Sequence, residues 1–154
     1  MNNVMKKILL LACMFVAGIC FSSCTKDDGN GNGDSSNGIE GMWACTAEYW
    51  SDDDDAEYEH VDIYKSSTEY LLEFANGVIK EYEAEDEVPF VNGYVKGSLN
   101  DFELGGSALY QMKGNEIFVG GFKFFDVEFI GKDKIKLIDE YNDYSLYERV
   151  KGFN

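Results

Sequence analysis

One histidine, four cysteines and a run of aspartates are the residues of this 154-residue chain best suited to chemistry. His60 stands beside Glu59 and near Asp62, company that suits a general base. No activated serine or cysteine nucleophile is recognisable, so no catalytic residue is assigned and the chain is not expected to be an enzyme. Transition-metal sites draw on several histidines and cysteines, and one histidine with an apolar-flanked Cys45 does not supply them. Asp52-Asp53-Asp54-Asp55, with Glu57 and Glu59, offers oxygens of the kind Ca²⁺ takes. That run lacks the alternating ligands and central glycine of a calcium loop, and reads as a solvated loop. Asp139-Glu140 is an acid pair of the glycosidase kind, but so acidic a chain supplies such pairs by composition. No metal and no cofactor are expected.

Cys24 carries a different chemistry. Lys6 and Lys7 precede an apolar run from Ile8 to Phe21, and Phe21-Ser22-Ser23-Cys24 ends it. The run is shorter than the roughly 18 residues that span a bilayer. A basic stub, a short apolar segment and small residues before a cut make a secretory signal. The cysteine just past them resembles the lipobox of bacterial lipoproteins, with Ser22 and Ser23 at the small positions and Phe21 in place of the usual leucine. The resemblance implies a mature chain that begins at a lipidated Cys24. Two or more hydrophobic signals anchor stably, so the folded part need not touch the bilayer. Thr25-Lys26-Asp27-Asp28 follows, and Lys26, Asp27 and Asp28 resemble the surface-export signal of lipoproteins in some Gram-negative bacteria. The expected location is therefore the outer membrane, lipid-anchored, on the cell surface.

Asp27 to Gly38 is a Gly/Asn/Asp/Ser tether without an apolar residue, with a reach of roughly 20 Å. The expected organisation is a signal peptide over 1–23, a lipidated cysteine and flexible acidic linker over 24–38, and one domain over 39–154. Without the signal the chain keeps 29 acids against 11 bases, a formal charge of −18. Such acidity repels phosphate backbones and excludes nucleic acid as a partner. Aromatics at 15% and a single proline argue for a packed core rather than disorder. Two cysteines fall in the signal and Cys24 is the lipid acceptor, so Cys45 is left alone, a small buried hydrophobe.

The domain reads as all-β. Residues 41–50 form a strand of small and aromatic residues, on which alternation puts Trp43, Cys45, Ala47 and Tyr49 on one face. Val61 to Tyr64 is a short strand. Tyr70–Phe74 and Val78–Glu85 flank Asn76-Gly77, a strong hairpin signal. Pro89 opens the next strand, Phe90–Leu99, with bends at Gly93 and Gly97. Ser107–Met112 and Glu116–Val119 form a hairpin, and Gly120-Gly121 bends the chain. Phe124–Ile130 and Lys134–Tyr141 flank Gly131-Lys132-Asp133, and Tyr144–Val150 closes the chain. Phe125, Val127 and Phe129 share one face. Short strands with tight turns give a meander, closed as a barrel or folded as a sandwich.

Gly41-Met42-Trp43 opens the first strand, and Arg149, the sole arginine, lies in the last. This pair resembles the lipocalin and calycin pattern. In that superfamily the tryptophan plugs one end of an up-and-down barrel of about eight strands and the arginine packs across its indole. Leu72 to Gly77, Tyr110 to Ile117 and Lys134 to Val150 resemble small lipocalin-like domains of bacterial lipoproteins. The expectation is an antiparallel meander closed as a lipocalin-like barrel, after a signal helix and tether, with Trp43 and Arg149 as the barrel-closing pair. The resemblance implies a binding role and does not identify the ligand. The expectation is a small apolar ligand, with Tyr49, Trp50, Tyr64 and Tyr94, which flank expected loops, at the rim of its pocket. The other reading is a solid barrel whose loops bind a protein or glycan partner.

Overall fold

The computed structural model describes residues 38–51 and 60–154. The expected signal segment, Cys24, Lys26, Asp27, Asp28 and the acidic run from Asp52 to Glu59 lie outside the described residues. Eleven strands occupy the described part: β1 (Gly41–Trp50), β2 (His60–Ile63), β3 (Ser67–Ala75), β4 (Val78–Val91), β5 (Tyr94–Val95), β6 (Glu103–Lys113), β7 (Glu116–Val119), β8 (Phe122–Ile130), β9 (Lys134–Ile138), β10 (Tyr144–Arg149) and β11 (Gly152–Phe153). One 3₁₀ turn, Leu99–Asp101, lies between β5 and β6.

Eight of the strands form a ring. The order β4-β3-β1-β10-β9-β8-β7-β6 is antiparallel throughout, and β6 pairs back to β4. The sheet therefore closes as the up-and-down barrel expected from the lipocalin resemblance, not as a sandwich, and closure leaves the ring without a free edge. Tight turns allow it. Asn76 and Gly77 both have positive φ, 53° and 74°, as a two-residue type I′ hairpin requires.

Inside the ring, alternate residues pack together. Trp43, Cys45, Leu72, Phe74, Ile79, Ile117, Val127, Ile135, Leu137 and Tyr147 are buried in one cluster. The outer wall carries charge pairs at directly opposed positions: Lys80 with Glu73, Lys134 with Glu148 and Lys136 with Glu128. Each exposed pair contributes at most about 1 kcal/mol.

The segment 86–102 departs from the strand order read from the sequence. Pro89 does not open a strand. It lies inside β4, opposite Ser67, and β4 runs on to Val91. Phe90–Leu99 is not one strand, because Asn92 and Gly93 make a second turn with positive φ, 55° and 88°. β5 then pairs with β4 and, in parallel, with the chain end β11. Phe90, Val95 and Phe102 from this flap bury against Ala44 and Leu71 on the outside of the barrel wall. The domain thus has two apolar clusters, one within the barrel and one beneath the flap.

Candidate functional site

Trp43 and Arg149 face one another across β1 and β10 at one end of the barrel. The Arg149 guanidinium carbon lies 4.1 Å from the Trp43 ring centroid. Its Nη1 donates to the Glu40 carbonyl at 2.7 Å, and Nη2 donates to the Gly38 carbonyl. The Trp43 indole N–H donates to the Ile39 carbonyl at 2.7 Å. Ile39 and Trp43 are fully buried. The arginine therefore ties the entering chain across the indole, and this end is plugged. A planar fork with several donors does this where a lysine could not.

Gly41 completes the plug. Its φ is +122°, and a Cβ there would stand 2.8 Å from Arg149 Nη1. Both features demand glycine. Gly41→Ala is expected to lower stability by about 1–3 kcal/mol, read from the urea midpoint. An unchanged midpoint would mean that the glycine is incidental to the plug.

The strand register turns at Cys45. A β-bulge between Cys45 and Ala47 places two residues of β1 against one of β10. Beyond it the inward positions shift by one. Ala47 and Tyr49 therefore do not continue the face of Trp43 and Cys45, as plain alternation required. Glu48 does instead, opposite Ser145, which shares the inward face of Tyr147. On β4 the inward residues are Ile79 and Glu81, while Tyr82 and Ala84 face the flap. Glu48, Glu81 and Ser145 are each no more than 2% exposed.

The interior beyond the plug is thus acidic and phenolic. Tyr64 donates to Glu48 Oε2 at 2.8 Å, and its ring meets Tyr70 edge-on at 6.4 Å. Burial, then the charges of Glu83 and Glu48, push the Glu81 carboxyl up to about 7. Burial, then the neighbouring Cys45, Glu48 and Glu81, raise the Tyr147 phenol well above its ordinary value. Burial and Glu48 do the same to the Cys45 thiol, whose Sγ faces the Ala47 carbonyl at 3.6 Å. A thiol so placed is the small hydrophobe expected, not a nucleophile. Among the described residues, the buried charged side chains are Glu48, Glu81, Asp139 and Asp143, with no lysine, arginine or histidine.

Of the rim residues named from sequence, three gather at the end opposite the plug. Tyr49 stacks on Tyr144 at 4.4 Å, Trp50 stacks on His60 at 5.1 Å, and Tyr64 packs against the interior cluster. Tyr94 does not join them. It sits in β5 on the outer flap, paired with Gly152 and 44% exposed. Its neighbour Val95 is the residue turned inward, beneath the flap. His60 is placed by its stacking on Trp50. Asp139 Oδ1 accepts the backbone N–H groups of Tyr141 and Asp143 at 2.8 and 3.1 Å, so it shapes the turn between β9 and β10. No group of three or more metal-ligating side chains occurs among the described residues.

Glu48, Glu81 and Ser145 were not singled out from the sequence. Glu48 is hidden by the bulge. Glu81 was visible as a polar residue at an inward-alternating position, two after Ile79, and that signal could have found it.

No family model matches the chain, and no curated protein matches it in sequence. Among solved structures, a lipocalin-like protein from Bacteroides uniformis ATCC 8492 is similar, with a TM-score of 0.46 and 14% identity. The match covers 73% of this chain and 98% of that one.

Proposed function

We propose that this chain is a non-enzymatic lipoprotein, held at the outer membrane surface through Cys24, whose barrel binds a small, largely apolar molecule. The observation that carries the reading is the difference between the two barrel ends. One is plugged by Trp43 and Arg149, 4.1 Å apart. The other carries the stacked Trp50–His60 pair, with the half-buried Tyr64 packed against the interior cluster below it. A pocket of mostly apolar lining with a few convergent polar groups is the usual form of a small-ligand site. The barrel supplies the walls, the plug sets the floor, and the ligand enters from the far end.

Native mass spectrometry after mild purification tests the reading. A reproducible co-purified small molecule is expected. A bare chain that retains a protein or glycan partner would replace it with the loop-binding alternative. Exposed aromatics favour that second reading: Phe122 is 75% exposed and Tyr141 50%. A cleft of about 220 Å³ lined by Phe122, Lys123, Phe124, Phe125 and Glu140 lies between their turns.

Cys24→Ser is expected to abolish incorporation of labelled palmitate, and labelling that persists would refute the anchor. Replacing Lys26, Asp27 and Asp28 with alanine is expected to remove the domain from the reach of external protease. Unchanged cleavage would place the export information elsewhere.

A further inference from the structure

The described interior holds acids and no base. Glu81 is 2% exposed and its Oε2 meets no hydrogen-bond donor among the described residues. Ser145 is 1% exposed and its Oγ is likewise without a partner there. Buried polar atoms are almost always satisfied, and an exception calls for a missing donor. A buried carboxylate calls for one with charge.

The wall across from Glu81 is built of small residues. Gly106 stands directly opposite Glu81 on β6, where it adds no side chain. Ala108, the next inward residue of β6, is small and half-buried. Phenols neighbour both acids, Tyr147 near Glu81 and Tyr64 against Glu48, and such rings attract cations. The lysines that pair with carboxylates do so on the outer wall, as Lys80, Lys134 and Lys136 show.

We propose that the molecule taken by the barrel carries an ammonium group on its apolar body, and that Glu81, with Glu48 and Ser145, receives that group. This rests on the small-ligand reading above and names its chemistry. An ammonium has three donors and no acceptor, which complements two carboxylates and a hydroxyl. A carboxylate or phosphate ligand would meet like charge.

The test is calorimetric titration of the full chain with three probes that share one body: 2-phenylethylammonium, 2-phenylethanol and phenylacetate. The ammonium is expected to bind at least on the order of tenfold more tightly than the alcohol, with phenylacetate weakest. Glu81→Gln is expected to erase the preference while alcohol binding persists, and Ser145→Ala to reduce it several-fold. Thermal melts of both variants confirm that they fold. Equal affinity for ammonium and alcohol, or a preference that survives Glu81→Gln, overturns the ammonium assignment and leaves the small-ligand reading standing. Failure of all three probes to bind overturns both.

Discussion

Glu81→Gln is expected to stabilise the protein at pH 8 and to leave it nearly unchanged at pH 4.5. The reason is linkage. In the unfolded chain this carboxyl titrates near the usual 4.5. In the barrel, burial and the charges of Glu83 and Glu48 carry it up to about 7. Between those values the folded state holds a proton that the unfolded state has lost. The group's contribution is therefore fully present below pH 4.5 and is lost as pH rises through 7. Each pKa unit corresponds to about 1.4 kcal/mol, so the full swing is on the order of 3 kcal/mol. Glutamine keeps the shape of the protonated acid and does not titrate. Chemical denaturation of both proteins from pH 4.5 to 8 gives a difference curve that isolates this group from the chain's many other acids. The curve should fall with rising pH and level off above about 7. A flat curve would mean that Glu81 is solvated in the folded protein. A bound cation would keep the carboxylate charged and offset the loss at high pH, so the free protein is the one to measure.

Trp43→Ala is expected to cost about 3–5 kcal/mol, the usual penalty for emptying so large a buried site. For a domain near this size that is roughly 15 °C or more of melting temperature. Trp43 is 0% exposed, donates to the Ile39 carbonyl and forms the floor on which Arg149 lies. Arg149→Met should cost about 2–3 kcal/mol, since it strips charged hydrogen bonds from the Gly38 and Glu40 carbonyls. The double variant should lose less than the sum by about 1 kcal/mol, the coupling of cation and ring. Additivity within about 0.3–0.5 kcal/mol would show that the two residues support the barrel end independently.

Much of the strand order was legible. Asn76-Gly77, Gly114-Asn115 and Gly120-Gly121 mark turns by residue type, because those backbones need positive φ or its freedom. The first strand and the last were placed from Gly41, Trp43 and Arg149, and the ring closes through those two strands. The flap was less legible. Asn92-Gly93 carries the same turn signal as Asn76-Gly77, and it divides the strand expected over Phe90–Leu99. A proline on a strand is tolerated where its missing N–H falls outside the ladder, so it did not break β4.

The site itself was half legible. Tyr49, Trp50 and Tyr64 flank loops in sequence and gather at one end in space. Tyr94 also flanks a turn, but that turn folds outside the wall. Flanking a loop says nothing about which loop reaches the mouth.

By itself the sequence determined the acidity, the all-β class, the turn positions and the glycine, tryptophan and arginine of the plug. These are local properties of composition and φ, or depend on a few unusual residues. Tertiary structure decided which of two alternating faces is the interior. Alternation divides a strand into two sets, and only pairing says which set turns inward. Pairing also decides where an extra residue is taken up. The bulge at Cys45 to Ala47 is such a residue, and its cost and benefit are settled between β1 and β10. It turns Glu48 into the barrel and Tyr49 out of it, and so places acid where the sequence alone had put an aromatic.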